Sequence, residues 1–325
     1  MTGSFRIAVV QGGPSAEAEV SRVSAGAVAA ALAADGHDVT RFELDSVLAG
    51  ALLAHAPDVV FPVCHGAVGE DGSLQGLLEV LGLPYVGSGV LASALAMDKP
   101  SARVHFAARG LPLAEARLAR DPAEAGAILA ALGPRLVVKP AAGGSALGVS
   151  RLALGEDPGP LAAALEAALA HGACALVERF VVGDEVTCGV LEEAGGPRAL
   201  PPTRIATPEA EFYDFESRYA AGKSVHECPA PYSAALLAEI QRIAVAAHCA
   251  LGCRDLSRVD FVVSSEVTLL EVNTLPGFTP TSLYPEAAAA QGTSFVALCR
   301  QLVEAAVRRG VPQRVAAARF PGSAH

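Results

Sequence analysis

Arg258-Val-Asp260-Phe-Val-Val263 is followed, after a short break, by Val267-Thr-Leu-Leu-Glu271-Val-Asn273. Both runs are rich in β-branched and apolar residues and read as strands. Arg258 and Asp260 stand at positions i and i+2, as do Glu271 and Asn273, and such positions of a strand point to one face. As neighbouring strands they bring Asp260, Glu271 and Asn273 together, with Arg258 beside them. Two carboxylates and an amide oxygen are hard ligands suited to magnesium, which normally keeps substrate phosphates as well. A solvated sheet face carrying an Arg–Asp pair is the competing reading, disfavoured by the apolar residues flanking every member.

Outward from this pair, further strands are expected at residues 185–191, 175–180, 149–151 and 135–139, with helices over 234–251 and 161–170. The first third alternates strands at 6–11, 39–44 and 59–63 with a helix at 21–32. Alternation of this kind implies an α/β fold with a parallel sheet and crossover helices. Ligand sites in such sheets follow the carboxyl ends of strands, where glycine-rich loops follow Val10 and Val63. A boundary is expected near Lys99-Pro100, and no internal repeat is visible.

A length of 325 residues suits two or three packed modules. With 52% hydrophobic and 18% charged residues, the chain is expected to fold rather than remain disordered. The net charge of -10, with no basic cluster, disfavours nucleic acid as a partner. The seven cysteines are scattered. Cys249 and Cys253 could share a helix face, but no second Cys/His pair completes a zinc site, so reduced thiols are expected. The start lacks a signal-peptide pattern, and apolar runs break short of the roughly 20 residues of a membrane span. A cytoplasmic protein with no membrane partner is the expectation.

Lys139-Pro-Ala-Ala-Gly143-Gly144-Ser145-Ala146-Leu147-Gly148 lets backbone N–H groups approach phosphate oxygens beside a lysine. It is not a Walker loop, and a plain glycine-rich hairpin remains an alternative. His65-Gly66 and Gly69-Glu70-Asp71-Gly72 follow a buried strand and suggest a binding loop, although a turn without ligand stays open. Glu17 either binds an amine or caps the next helix.

Several blocks resemble the D-alanine–D-alanine ligase family in order and spacing. They are Gly12-Gly-Pro-Ser-Ala-Glu17-Ala-Glu-Val-Ser21, His65-Gly-Ala-Val-Gly-Glu-Asp-Gly72, Gln75-Gly76, Pro84-Tyr85-Val-Gly-Ser-Gly89, Met97-Asp-Lys99, Ser257-Arg-Val-Asp260 and Glu271-Val-Asn-Thr-Leu-Pro-Gly277, then Ser282-Leu283. The resemblance implies a three-module ATP-grasp fold: an N-terminal parallel-sheet domain (1–98), a central ATP-grasp subdomain (99–181), a C-terminal one (182–312) and a loose tail (313–325). It implies phosphorylation of one D-alanine by ATP, then attack on the acyl phosphate by the amine of a second. ATP, two Mg2+ ions (with Mn2+ as substitute) and a homodimer come with it.

Carried over by position, Lys99, Lys139 and Arg218 would contact ATP phosphates, with Glu178, Phe180 and Val181 at adenine and Glu185 at ribose. Asp260, Glu271 and Asn273 would hold metal. Glu17, helped by Ser145 and near His65, would take the first ammonium. Arg258, Gly277, Ser282 and Leu283 would take the second carboxylate, with Arg258 and Gly277 also facing the oxyanion. Tyr219, in the closing loop at 213–219, would bond to Ser145 and Glu17. The chain departs from the family's usual pattern in having Gly143 for glutamate, Ala146 for serine and Arg218 for lysine. A related ligase taking D-serine, D-lactate or another amino acid, or a silent nucleotide-binding regulator, are the competing functions.

Overall fold

The computed structural model describes residues 3–144, 148–206 and 225–311. Ser145, Ala146, the 213–219 loop with Arg218 and Tyr219, and the 313–325 tail lie outside these residues.

The chain opens with β1 (Arg6–Gln11), α1 (Ala18–Ala34), β2 (Asp38–Glu43), α2 (Leu48–His55), β3 (Val59–Pro62), α3 (Ser73–Leu81) and α4 (Val90–Met97). β1 lies between β2 and β3 and pairs in parallel with both. Strand alternation divides its side chains between two cores. Ile7, Val9 and Phe61 share one with α1, while Ala8, Val10 and Val60 share the other with Leu48, Leu52, Leu74 and Leu78. A parallel sheet covered on both faces needs such continuous apolar runs.

α5 (Lys99–Ala108) begins at Lys99 and is capped by the Asp98 carboxylate, which accepts from the Ser101 N–H. Then come β4 (Ala116–Ala119), α6 (Ala125–Leu132), β5 (Arg135–Pro140), β6 (Ser150–Ala153), α7 (Gly159–Leu169) and β7 (Ala175–Arg179). The four strands form an antiparallel sheet in the order β4-β7-β5-β6. Leu136, Val138 and Val177 pack there against Leu161 and Leu165 of α7 and Ile128 and Leu132 of α6.

The remaining elements are β8 (Asp184–Glu193), β9 (Gly196–Ala199), β10 (Thr203–Ala206), β11 (Val225–Glu227), α8 (Ala234–Leu251), β12 (Leu256–Val263), β13 (Val267–Asn273), α9 (Leu283–Ala290) and α10 (Phe295–Arg309). Their antiparallel sheet runs β11-β10-β8-β12-β13, with β9 paired to the far end of β8. Among the described residues α8 is the one helix long and apolar enough to cross a membrane. Its Ile240, Ile243, Ala244, Ala247 and Leu251 pack in one core with Val186, Cys188, Val259 and Phe261 of the sheet.

α9 and α10 return to the N-terminal sheet, where Leu298, Leu302 and Val303 join the core of Ile7, Val9 and Phe61. Asp255, almost fully buried, fixes this return. It accepts from the Gly87 N–H at 2.7 Å and from Arg309, whose Nη2 also donates to Tyr85 O at 2.6 Å. Arg309→Leu would leave this buried carboxylate without its cation. It is expected to destabilise the protein by roughly 3–5 kcal/mol, read as a lower urea midpoint at pH 7. A midpoint within error of the unmodified chain contradicts the clamp.

Candidate active site

β12 and β13 pair so that Arg258 stands opposite Asn273 and Asp260 opposite Glu271; the register then shifts before Phe261. The constellation expected from the two strands is therefore assembled. Arg258 donates to Asp260 through Nε and Nη2, both at 2.8 Å, and Thr187 of β8 donates to the same carboxylate at 2.8 Å. Asn273 Oδ1 accepts from the Leu275 N–H at 2.9 Å. Lys99 Nζ lies 3.6 Å from Glu271 Oε2 and also donates to the carbonyl of Gly143. These side chains are not a solvated sheet face. Arg258, Asp260, Glu271 and Asn273 line a cavity of about 390 Å3 shared with Glu17, His65, Glu70, Gly277, Ser282 and Leu283.

The N-terminal loops close the other side of this cavity. Gly12, at φ +73°, turns its N–H to Ser21 Oγ at 2.8 Å. Ser15 Oγ donates to the His65 carbonyl at 2.6 Å and so ties the first loop to the second. Glu17 is buried at the N-cap position of α1, where its side chain makes no capping hydrogen bond. His65 is buried, and that burial lowers its pKa against the opposing pull of Glu17. Its Nε2 has no hydrogen-bond partner among the described residues.

Glu70 is buried beside them. Its Oε1 accepts from the Gly66 N–H at 2.9 Å, while Oε2 has no described partner. Burial is the main cause that pushes its pKa up to about 8; Glu17 and Glu271 add to this, while the Gly66 N–H and Arg258 oppose it. Sequence reasoning marked the loop but not this side chain.

A second cavity adjoins the first and is lined by Lys99, Val137, Lys139, Gly143, Glu178, Phe180, Val181, Glu185 and Glu271. Gly144, Glu185, Leu270 and Glu271 line both, so the two are adjacent. Lys139 and Glu178 are brought close because Val137 pairs with Glu178 across β5 and β7, with Lys139 two residues on. Lys139 Nζ meets Glu178 Oε2 at 2.5 Å, and Arg103 meets Oε1 at 2.5 Å. The guanidinium carbons of Arg151 and Arg135 lie 4.4 and 4.9 Å from the Phe180 ring centre.

Every described residue expected at the site thus lines one of two joined cavities. Arg103, Thr187 and Glu70 were missed. The Gly143 departure has a backbone counterpart. Its φ of +107° strains any side chain, although the space around it is open. Among the described residues no three His, Cys, Asp or Glu side chains gather as a metal cluster. The oxygen set here is two carboxylates and an amide, the hard donor types that magnesium takes.

A family model described as D-ala D-ala ligase C-terminus matches residues 110–304, and one described as D-ala D-ala ligase N-terminus matches residues 46–88. A D-alanine–D-alanine ligase of Acidiphilium cryptum is 46% identical over 312 residues, covering 94% of this chain and 99% of that one. The Bacillus anthracis D-alanine–D-alanine ligase, solved in complex with ATP, superposes with a TM-score of 0.78 at 29% identity, covering 94% and 98% of the two chains. The VanG D-Ala:D-Ser ligase of Enterococcus faecalis gives a TM-score of 0.79 at 30% identity, covering 93% and 99%.

The raised pKa of Glu70 has a measurable sign. Folded Glu70 keeps its proton to about pH 8, whereas the unfolded chain releases it near the ordinary value of 4.5. This group's contribution to stability is therefore fully present below pH 4.5 and is lost as pH rises to about 8. Glu70→Gln mimics the neutral acid and removes that loss. From pH 5 to pH 8 the variant should gain on the unmodified chain by about 1 kcal/mol or more. Identical pH dependence in the two melting series contradicts the assignment.

Proposed function

The chain belongs to the D-alanine–D-alanine ligase family, and from that membership we infer that it joins two D-alanines into D-alanyl-D-alanine for peptidoglycan precursor synthesis, converting ATP to ADP and phosphate. The observation supporting this most directly is the adjacency of two cavities at β12 and β13. One has lysines beside a glycine-rich loop, and the other has an arginine and carboxylates suited to amino-acid termini.

A carboxylate is a poor electrophile. Transfer of the γ-phosphoryl group to one oxygen of the first D-alanine converts that oxygen into a leaving group. The amine of the second D-alanine then attacks the acyl carbon, and the tetrahedral species collapses with loss of phosphate. In this assignment Lys99 and Lys139 hold the phosphates, Glu178 takes the adenine 6-amino group with Phe180 and Val181 against the base, and Glu185 takes the ribose hydroxyls. Glu17 holds the first ammonium beside His65.

Arg258, Ser282 and Leu283 orient the second carboxylate, while Arg258 and the Gly277 N–H face the developing oxyanion. Arg258 donates twice to Asp260, and the planar fork of a guanidinium matches carboxylate geometry. Ser145, Arg218 and Tyr219 are assigned to loops that close over the acyl phosphate and keep water out. Asp260, Glu271 and Asn273 fit two Mg2+ ions, which when bound offset negative charge on the phosphates.

The same reading carries three modules at 1–98, 99–181 and 182–312, a cytoplasmic homodimer, and no nucleic-acid or membrane partner. The likeness to a D-Ala:D-Ser ligase makes the second substrate the point to test. ADP release is to be measured with MgATP and D-alanine, D-serine, D-lactate and L-alanine, with products identified by mass. D-alanine alone should give the fastest turnover and D-alanyl-D-alanine as product. Turnover confined to D-lactate, or to an L-amino acid, contradicts the function.

A further inference from the structure

Arg103 has no role in the chemistry above, yet it touches the residue assigned to adenine. It stands on α5, one helical turn beyond Lys99. Its Nη1 donates to Glu178 Oε1 at 2.5 Å, and its Nη2 donates to the carbonyl of Ala114. Lys139 takes the other carboxylate oxygen at 2.5 Å. Glu178 is only 4% exposed, so two cations surround one buried carboxylate.

The two cations differ in what else they can reach. Arg103 is anchored twice, through Glu178 and Ala114, and does not line the nucleotide cavity. Lys139 lines that cavity together with Gly143 and Gly144. A triphosphate offers a lysine several negative oxygens, a stronger partner than one carboxylate already shared with an arginine. When Lys139 turns to phosphate, Glu178 Oε2 loses a cation in a dry site and needs a new donor. The adenine 6-amino group is such a donor.

We propose that Arg103 is the positioning residue for adenine recognition: it holds one oxygen of Glu178 in place so that the other, exchanged away from Lys139 by the triphosphate, accepts the adenine 6-amino group. This rests on the assignment of Glu178 to adenine. It makes base recognition conditional on phosphate binding. It also predicts discrimination against a purine with a carbonyl at position 6, whose oxygen meets a fixed carboxylate as one acceptor facing another.

The test is steady-state kinetics with ATP and with ITP, at saturating D-alanine, for the unmodified protein, Arg103→Gln and Arg103→Lys. The unmodified protein should prefer ATP in kcat/KM. Arg103→Gln should raise KM for ATP by about tenfold or more, the worth of a charge-assisted hydrogen bond. KM for ITP should stay within about threefold, well short of the tenfold expected for ATP, and kcat with ATP should change far less than KM. Arg103→Lys should restore most of the preference.

Equal rises of both KM values in Arg103→Gln, or a preference for ATP that survives unchanged, overturn the inference and leave the Glu178 assignment standing. Equal use of ATP and ITP by the unmodified protein overturns that assignment and this inference with it. Should Arg103→Gln show no cooperative melt, Arg103→Lys decides. An ATP preference close to that of the unmodified chain is expected, and its loss overturns the proposal.

Discussion

The pairing of β12 with β13 sets the chemistry of this protein. Opposed residues put Asp260 against Glu271 and Arg258 against Asn273. A slip of one residue would turn every one of these side chains to the α8 side of the sheet, where Val259, Phe261 and Val272 are now buried. That apolar face, packed on α8, therefore specifies the register of the polar face. The same sheet is anchored to the N-terminal loops by Asp255 at the entry to β12 and Arg309 at the end of α10. Glu17, His65 and Glu70 consequently face the strand pair across one cavity.

Burying this many charges requires partners for them. Arg258 lies on Asp260, Lys99 near Glu271, and Lys139 and Arg103 on Glu178. The lysines assigned to phosphate thus rest on carboxylates assigned to metal and adenine. On those assignments, exchange of partners rather than assembly of a site from separated charges is the electrostatic change that nucleotide binding would ask of the protein. Glu70 is the exception, a buried carboxyl with one backbone donor, and it answers burial by holding its proton.

The strand pair was legible in the sequence because its polar residues alternate with apolar ones at period two. α8 was legible in its full extent, 234–251, since Ser233 caps it and Gly252 ends it. α2, α3, α4, α6, α9 and α10 were not singled out. Runs such as 125–132 and 283–290 are so rich in alanine and leucine that one face hardly differs from another. The short strands β4, β9, β10 and β11 offer too few residues for a period to show. At the site, Arg103 and Glu178 are brought together by tertiary packing, and Thr187 reaches Asp260 only through the pairing of β8 with β12. No local pattern encodes such contacts. Family resemblance supplied most of the assigned roles.

The central claim is that the site activates a carboxylate by phosphorylation. D-alanine labelled with 18O in both carboxylate oxygens, incubated with unlabelled MgATP, tests it directly. Phosphate released with each dipeptide should carry one 18O, because the oxygen that leaves the acyl carbon departs on phosphorus. Dipeptide formed with unlabelled phosphate, or with 18O appearing in AMP instead, would contradict the account.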